Sequence, residues 1–256
     1  MEAYLDNSAT TRVDAQVQEL MKKLMDVDFG NPSSRHQKGV VAEGYIKEAR
    51  QKIAATLKVD PKELIITSGG TESNNMALIG TALAAKRKGN HIITTAVEHP
   101  SVKATASFLE EQGFRITFLS VDSRGQISLE DLKEALTPDT ILVSIMYVNN
   151  EIGTIQPVEE AAKLVHATVP GAVFHVDAIQ AYGKVMIRPK QQGIDLLSVS
   201  SHKFHGPKGA GFLYCSSKVN LHPIIFGGGQ QSGMRSGTEN VPGAAGMGRA
   251  AQLAYQ

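Results

Sequence analysis

The chain has a single cysteine, Cys215, so it cannot close a disulfide with itself, and an internal cross-linked framework is excluded. It has no block of like charge. Its 26 Lys and Arg stand against 25 Asp and Glu, leaving +1, so no strong field draws it to nucleic acid or anionic membrane. No apolar run is long enough to span a bilayer, and MEAYLDNSATT opens without the apolar core of a secretion signal. These scarcities lead to the expectation of a cytoplasmic globular protein that takes no nucleic acid and no membrane as partner. Apolar residues, by contrast, are plentiful. A hydrophobic share of 42% over 256 residues supports a full core, in one large domain or one and a half. The 24 glycines cluster at three places, which suggests backbone brought close to a ligand.

Residues 3 to 12, AYLDNSATTR, read as a short extended segment ending in small hydroxyl residues. With Asp14 as N-cap, Val17, Leu20, Met21 and Leu24 then fall on one helical face. FGNPSSRHQKG reads as a turn-rich loop, and a second helix carries Ile46, Ala49, Ile53 and Leu57 in register. LIIT (64–67) is a compact strand, followed by SGGTESNN and a helix to about Lys88. The alternation continues with HIITT (91–95), helix SVKATASFLEEQ, strand RITFLSV, and helix SLEDLKEAL, opened by a capping box of Ser128 and Asp131. TILVSIMYV (140–148), a helix over about Val158 to Thr168, AVFHVD (172–177) and DLLSVS (195–200) follow. Near-continuous apolar strands alternating with helices predict an α/β fold: three layers, α/β/α, with a mostly parallel central sheet.

In such a sheet, ligands sit beyond the carboxyl ends of the strands. Polar residues collect at those ends: Gly70 and Thr71 after one strand, Glu98 and His99 after another, Asn149 and Asn150 after a third, Asp177 after a fourth, and Ser200 to Lys203 after a fifth. Lys203 lies between two histidines in SVSSHKFHGPKG, crowded by small and aromatic neighbours. An amine so placed loses its proton more easily and can form an imine with an aldehyde. The glycine turn before a helix presents N–H groups and a positive dipole end to a phosphate. Amine, carboxylate and phosphate cradle together suggest pyridoxal 5′-phosphate: Asp177 for the ring nitrogen, Gln180 for the phenolate oxygen, and His99 to stack on the ring or move protons. Each residue also has an ordinary structural use. Asp177 can cap the turn after it, His99 before Pro100 can be a loop histidine, Thr71 can be a helix cap, and the Lys203 stretch can be a polar loop.

The motifs YLDNSATT, NPSSRH, TSGGTESNN, VEHPSV, VNNEIGTIQPV, FHVDAIQAYGK, SSHKFHGPKG and GGGQQSGMRSGTENV, in that order, resemble the NifS/IscS-like cysteine desulfurases. These lie in the class-V branch of fold-type-I pyridoxal-phosphate enzymes. The resemblance implies the large domain of that fold, conversion of L-cysteine to L-alanine, and sulfur passed on as a persulfide for iron–sulfur cluster assembly or tRNA thiolation. It implies Lys203 as the imine-forming lysine, with His99 on the ring face, Asp177 at the ring nitrogen, and Gln180 and Asn150 at the phenolate oxygen. Gly70, Thr71, Ser200 and His202 would bind the phosphate, and Thr238 would reach the phosphate of the partner subunit in a homodimer. A sulfur-acceptor or scaffold protein is a further implied partner, and no metal is implied.

The resemblance also implies what this sequence does not show. The family's nucleophilic cysteine and its substrate-carboxylate arginine normally lie in a small C-terminal domain. Here residues 1–13 are read as an N-terminal segment of that small domain, 14–256 as the cofactor-binding large domain, and the C-terminal domain as absent. The ending VPGAAGMGRAAQLAYQ reads as an interrupted helix. Cys215 ends the strand-like GFLYC and reads as a small buried hydrophobe. Two alternatives stand beside the desulfurase: an aminotransferase or lyase of the same fold, and a cofactor-binding homologue with incomplete catalytic equipment.

Overall fold

The computed structural model describes residues 3–256; Met1 and Glu2 of the expected N-terminal segment lie outside the described residues. In chain order the elements are α1 (Ala15–Asp26), α2 (Gln37–Leu57), β1 (Leu64–Thr67), α3 (Gly70–Ala85), β2 (His91–Thr95) and α4 (Pro100–Glu111). There follow β3 (Arg115–Leu119), α5 (Leu129–Ala135), β4 (Thr140–Met146), α6 (Val158–Thr168) and β5 (Val173–Asp177). The last are α7 (Pro189–Gln192), β6 (Leu196–Ser200), β7 (Gly211–Cys215) and α8 (Val241–Ala254).

Local chemistry sets many of the boundaries. The Asp14 side chain accepts from Gln16 N at 2.8 Å and starts α1. Ser128 caps α5 by accepting from Asp131 N, and Pro100 opens α4 with its φ already fixed for a helix. One boundary departs from the sequence reading. The stretch FGNPSSRHQKG is not all loop, because Gln37 to Gly39 form the first turn of α2. The loop folds back so closely that a Cβ on Gly39 would lie 2.1 Å from the Ser34 carbonyl oxygen. That glycine is a packing residue inside the helix. It is not a turn signal.

The described residues form a seven-stranded sheet in the order β1-β7-β6-β5-β4-β2-β3. The pairs β2–β3, β2–β4, β4–β5 and β5–β6 are parallel, while β7 runs antiparallel to both β1 and β6. The carboxyl ends of β1, β2, β4, β5 and β6 therefore share one rim. Helices cover both faces. Core residues of α1, α2, α5, α6 and α8 pack on one side, and those of α3 and α4 on the other. All seven residues of β4 are buried, which is why its sequence runs apolar without alternation.

Aromatic packing fixes the segment after β6. The buried Tyr182 ring meets Phe204 at 4.9 Å, Phe212 at 5.3 Å and Tyr255 at 5.3 Å, each edge to face. Burying a side chain such as Phe204 contributes roughly 1.5–3 kcal/mol, so the residue next to Lys203 is firmly held. No helix among the described residues is long and apolar enough to cross a membrane.

Candidate active site

A cavity of about 900 Å³ opens at the shared rim. Gly70, Thr71, His99, Asn150, Asp177, Gln180, Ser200, His202 and Lys203 all line it. Thr238 does not. It is exposed, outside the cavity lining, in the loop between β7 and α8. Glu98 and Asn149 are buried behind the wall.

At one end lies the turn from β1 into α3. Gly69 has φ 152°, a conformation that side chains rarely adopt, and a Cβ on Gly70 would lie 2.1 Å from Ile179 Cδ1. The close approach leaves a cradle floored by backbone. The first-turn N–H groups of α3 have no partners within the helix, and the positive end of the helix dipole points the same way. Ser200, at the end of β6, has its Oγ 3.7 Å from where a Cβ on Gly69 would lie, and His202, in the turn after it, lies 3.1 Å through Nδ1 from Thr10 Oγ1. The donor set suits a phosphate.

Elsewhere on the lining, Lys203 Nζ donates to the carbonyl oxygens of Ser8 at 2.5 Å and Ala9 at 2.9 Å. Burial pulls the ammonium pKa below its ordinary value, against the attraction of Asp6, Asp177 and Glu151. The deprotonated amine is therefore more accessible than on a surface lysine. Asp177 ends β5, buried, with Oδ1 accepting from Ile179 N at 3.0 Å and Oδ2 from Asn74 Nδ2 at 2.8 Å. Burial raises its pKa, while those two donors and the Lys203 charge pull it back. A cationic ring nitrogen beside it would favour the anion further.

His99 is both N-cap and cavity wall, its ring Nδ1 accepting from Ser101 N at 3.1 Å to start α4. Gln180 lines the cavity with its amide already engaged: Nε2 donates to Ser8 O at 2.9 Å, and Oε1 accepts from Lys184 at 3.2 Å. Asn150 donates to Glu151 Oε1 at 2.6 Å.

A sequence profile described as Aminotransferase class-V matches residues 3–256. The chain belongs to the class-V aminotransferase family. It is 50% identical over 253 residues to the cysteine desulfurase IscS of Dictyoglomus turgidum (strain DSM 6724 / Z-1310), covering 99% of the chain and 64% of that protein. It is 51% identical over 253 residues to the putative cysteine desulfurase IscS 1 of Bacillus subtilis (strain 168), covering 99% of the chain and 66% of that protein. The chain thus spans 64–66% of the length of these two relatives. A solved structure titled NifS-like protein superposes with a TM-score of 0.97 at 44% identity, covering 99% of this chain and 70% of that one. Another, titled SspA in complex with cysteine, gives 0.94 at 40% identity, covering 98% and 72%.

Within this class-V chain several site residues escape a reading of the sequence. Asp6, Ser8, Ala9 and Thr10 form a wall of the cavity. Their segment lies along the lysine turn, with Thr11 N donating to His202 O at 2.9 Å and His205 N to Thr11 Oγ1 at 2.7 Å. The small hydroxyls of NSATT were the available signal, since only short polar side chains fit two backbones lying this close. Glu72 joins the cradle to the GMRSGT loop by accepting from Arg235 Nε at 2.8 Å. Cys215 sits half-buried at the end of β7, outside the cavity lining, and burial pushes its thiol up to about 12.

Proposed function

We propose that this chain binds pyridoxal 5′-phosphate and carries the α-carbon chemistry of a cysteine desulfurase, which turns L-cysteine into L-alanine and hands on the sulfur. The observation that carries this reading is the meeting of Lys203, Asp177 and the Gly69–Thr71 cradle in one cavity. The residues present fit the cofactor. The α3 N-terminus with Ser200 and His202 would hold its phosphate, Asp177 its ring nitrogen, and Gln180 and Asn150 its phenolate oxygen, with His99 against the ring. When bound, the cofactor supplies an aldehyde that condenses with amines and a ring that accepts electrons from the substrate α-carbon.

The chain's own residues do the rest. Lys203, with its ammonium form disfavoured by burial, gives up a proton and becomes both the anchoring amine and a carrier of protons at the α-carbon. Asp177 as the anion holds a proton on the ring nitrogen, which keeps the ring an electron acceptor. The Ser8 and Ala9 carbonyls orient the Lys203 amine from the side of the N-terminal segment.

Sulfur transfer needs an exposed, partly ionised thiol. Cys215, the one cysteine in the sequence, is neither ionised nor at the cavity. We therefore assign the sulfur-accepting thiol to a polypeptide region other than residues 1–256. The names of the relatives and the cysteine-bound neighbour favour a desulfurase over an aminotransferase or lyase of the same fold. The reading extends to a cytoplasmic homodimer that serves iron–sulfur cluster assembly or tRNA thiolation through an acceptor or scaffold protein. Its support is the IscS names and the exposed position of Thr238, outside its own cavity and free to reach a neighbour's.

The decisive experiment adds the cofactor to the chain and follows visible absorbance, then measures alanine and sulfide from cysteine with and without a cysteine-bearing C-terminal polypeptide of a relative. The chain should take up cofactor, lose the lysine-linked absorbance in Lys203→Ala, and desulfurate well only with the added polypeptide. Colour unchanged in Lys203→Ala overturns the lysine assignment.

A further inference from the structure

Behind the cavity wall a run of buried hydrogen bonds joins three elements that the sequence keeps apart. Asp177 at the end of β5, Asn74 in α3, and Ser101 with His99 at the start of α4 are its members. Asn74 is fully buried, and Ser101 and Asp177 are 8% and 4% exposed. Asn74 Nδ2 lies 2.8 Å from Asp177 Oδ2 and 2.9 Å from Ser101 Oγ. Ser101 Oγ lies 2.8 Å from His99 Nδ1, and Ser101 N lies 3.1 Å from the same ring nitrogen.

The direction of each bond follows from what the groups can do. A backbone N–H only donates, so Nδ1 meets Ser101 N with its lone pair and carries no proton. A neutral imidazole then has its proton on Nε2. The Ser101 hydroxyl facing an unprotonated Nδ1 must also donate, which leaves its lone pairs for Asn74. The Asn74 amide has two hydrogens on one nitrogen, one for Ser101 Oγ and one for Asp177 Oδ2. An anionic Asp177 accepts only, and this fixes which way the amide faces. Every donor is spent once and the chain has one sense, from Asn74 outward.

We propose that Asn74 and Ser101 are positioning residues that hold the proton of neutral His99 on Nε2 and tie the orientation of its ring to the Asp177 carboxylate. This rests on the reading that His99 serves the reacting groups. With Nδ1 consumed in the wall, Nε2–H is the one polar group the ring has left. Neutral His99 is therefore a hydrogen-bond donor toward the cavity and suits a carboxylate or thiolate of an amino-acid substrate.

The test is ¹⁵N NMR of the full chain labelled at histidine, with His99→Gln used to assign the ring signals. The wild type should show a pyridine-like Nδ1 and a protonated Nε2 for His99. Ser101→Ala and Asn74→Leu should each move the His99 Nδ1 resonance toward that of a nitrogen with weaker donors, and Ser101→Thr should restore it. Ser101→Ala removes one atom and decides the matter if Asn74→Leu fails to fold. A wild-type proton on Nδ1 overturns the proposal, and so do His99 resonances unmoved in a folded Ser101→Ala. Cofactor uptake by the same wild-type sample is read separately by absorbance. Its absence would sink the proposed function while leaving the tautomer result to stand or fall alone.

Discussion

Glu98 and Asp177 are two buried carboxylates at the carboxyl ends of β2 and β5, with β4 between them, at 4% exposure each. They differ in how their oxygens are served. Asp177 has one N–H donor on each oxygen. Glu98 takes both of its donors on Oε1, from Thr95 Oγ1 at 2.9 Å and Met146 N at 2.8 Å. Its Oε2 is buried with no hydrogen-bond partner among the described residues. Burial, and then the Asp177 charge, push Glu98 up to about 8, so at neutral pH it holds a proton. Burial raises both groups, and at Asp177 the two donors and the Lys203 charge pull against it. Of the two, Asp177 lines the cavity and Glu98 does not. Glu98 instead laces the end of β2 to the end of β4.

The largest effect expected from breaking this contrast is at Asp177. Asp177→Asn keeps the shape and removes the charge. Losing one partner of a buried, hydrogen-bonded charge pair costs about 2–5 kcal/mol, which weakens cofactor binding about 30-fold or more. Cofactor titration by absorbance checks this, and an affinity within a factor of two of wild type would remove Asp177 from the ring nitrogen.

Glu98 should respond in the opposite way to the same kind of change. Glu98→Gln keeps the Oε1 acceptor and mimics the neutral acid, so denaturant unfolding below about pH 4.5, where Glu98 is neutral in both states, should move by no more than about 1 kcal/mol. Glu98→Ala strands the Met146 N–H and the Thr95 hydroxyl and leaves a hole, for a loss of about 2–4 kcal/mol. The pH dependence sharpens the point. The native pKa of about 8 lies above the ordinary 4.5, so the folded state binds this proton more tightly than the unfolded chain does. The contribution of Glu98 to stability is complete below about pH 4.5 and is lost as pH rises through 8. Glu98→Gln lacks that loss. Its stability relative to wild type should climb across this window, and a flat difference would mean that Glu98 is already ionised.

The sequence carried the rim far better than it carried this distinction. LIIT, HIITT and TILVSIM are apolar runs bounded by polar residues, so strand ends and the side chains just beyond them could be placed by eye. That reading needs only local pattern and the parallel order of the strands. Glu98 and Asp177 look alike in the sequence because their donors come from elsewhere: Met146 lies 48 residues from Glu98, and Asn74 lies 103 from Asp177. The Ser8 and Ala9 carbonyls that hold Lys203 are backbone, which any residue supplies, so no letter announced them. GFLYC was legible as a strand, but its antiparallel seat between β1 and β6 was not. Such pairing is decided by which edges meet in space.

Cys215 supplies the control for the comparison, with the smallest expected effect. It too is an acid held above its ordinary pKa, pushed up to about 12 first by burial and then by the Glu63 and Asp195 charges. Unlike Glu98, which accepts from the cavity-lining Met146, it bonds to no residue of the lining. Its sulfur makes only long contacts, to Ser216 O at 3.7 Å and Val219 O at 3.9 Å. A thiol in that state is a poor nucleophile at neutral pH. Cys215→Ser should therefore leave cofactor affinity unchanged and shift unfolding by about 1 kcal/mol or less, since a hydroxyl fits the half-buried strand end. Alkylation by iodoacetamide should be slow in the folded chain and quick once it unfolds. Cysteine turnover that required Cys215 would contradict both its protonated state and its place outside the cavity lining, and would return the sulfur-accepting role to this strand.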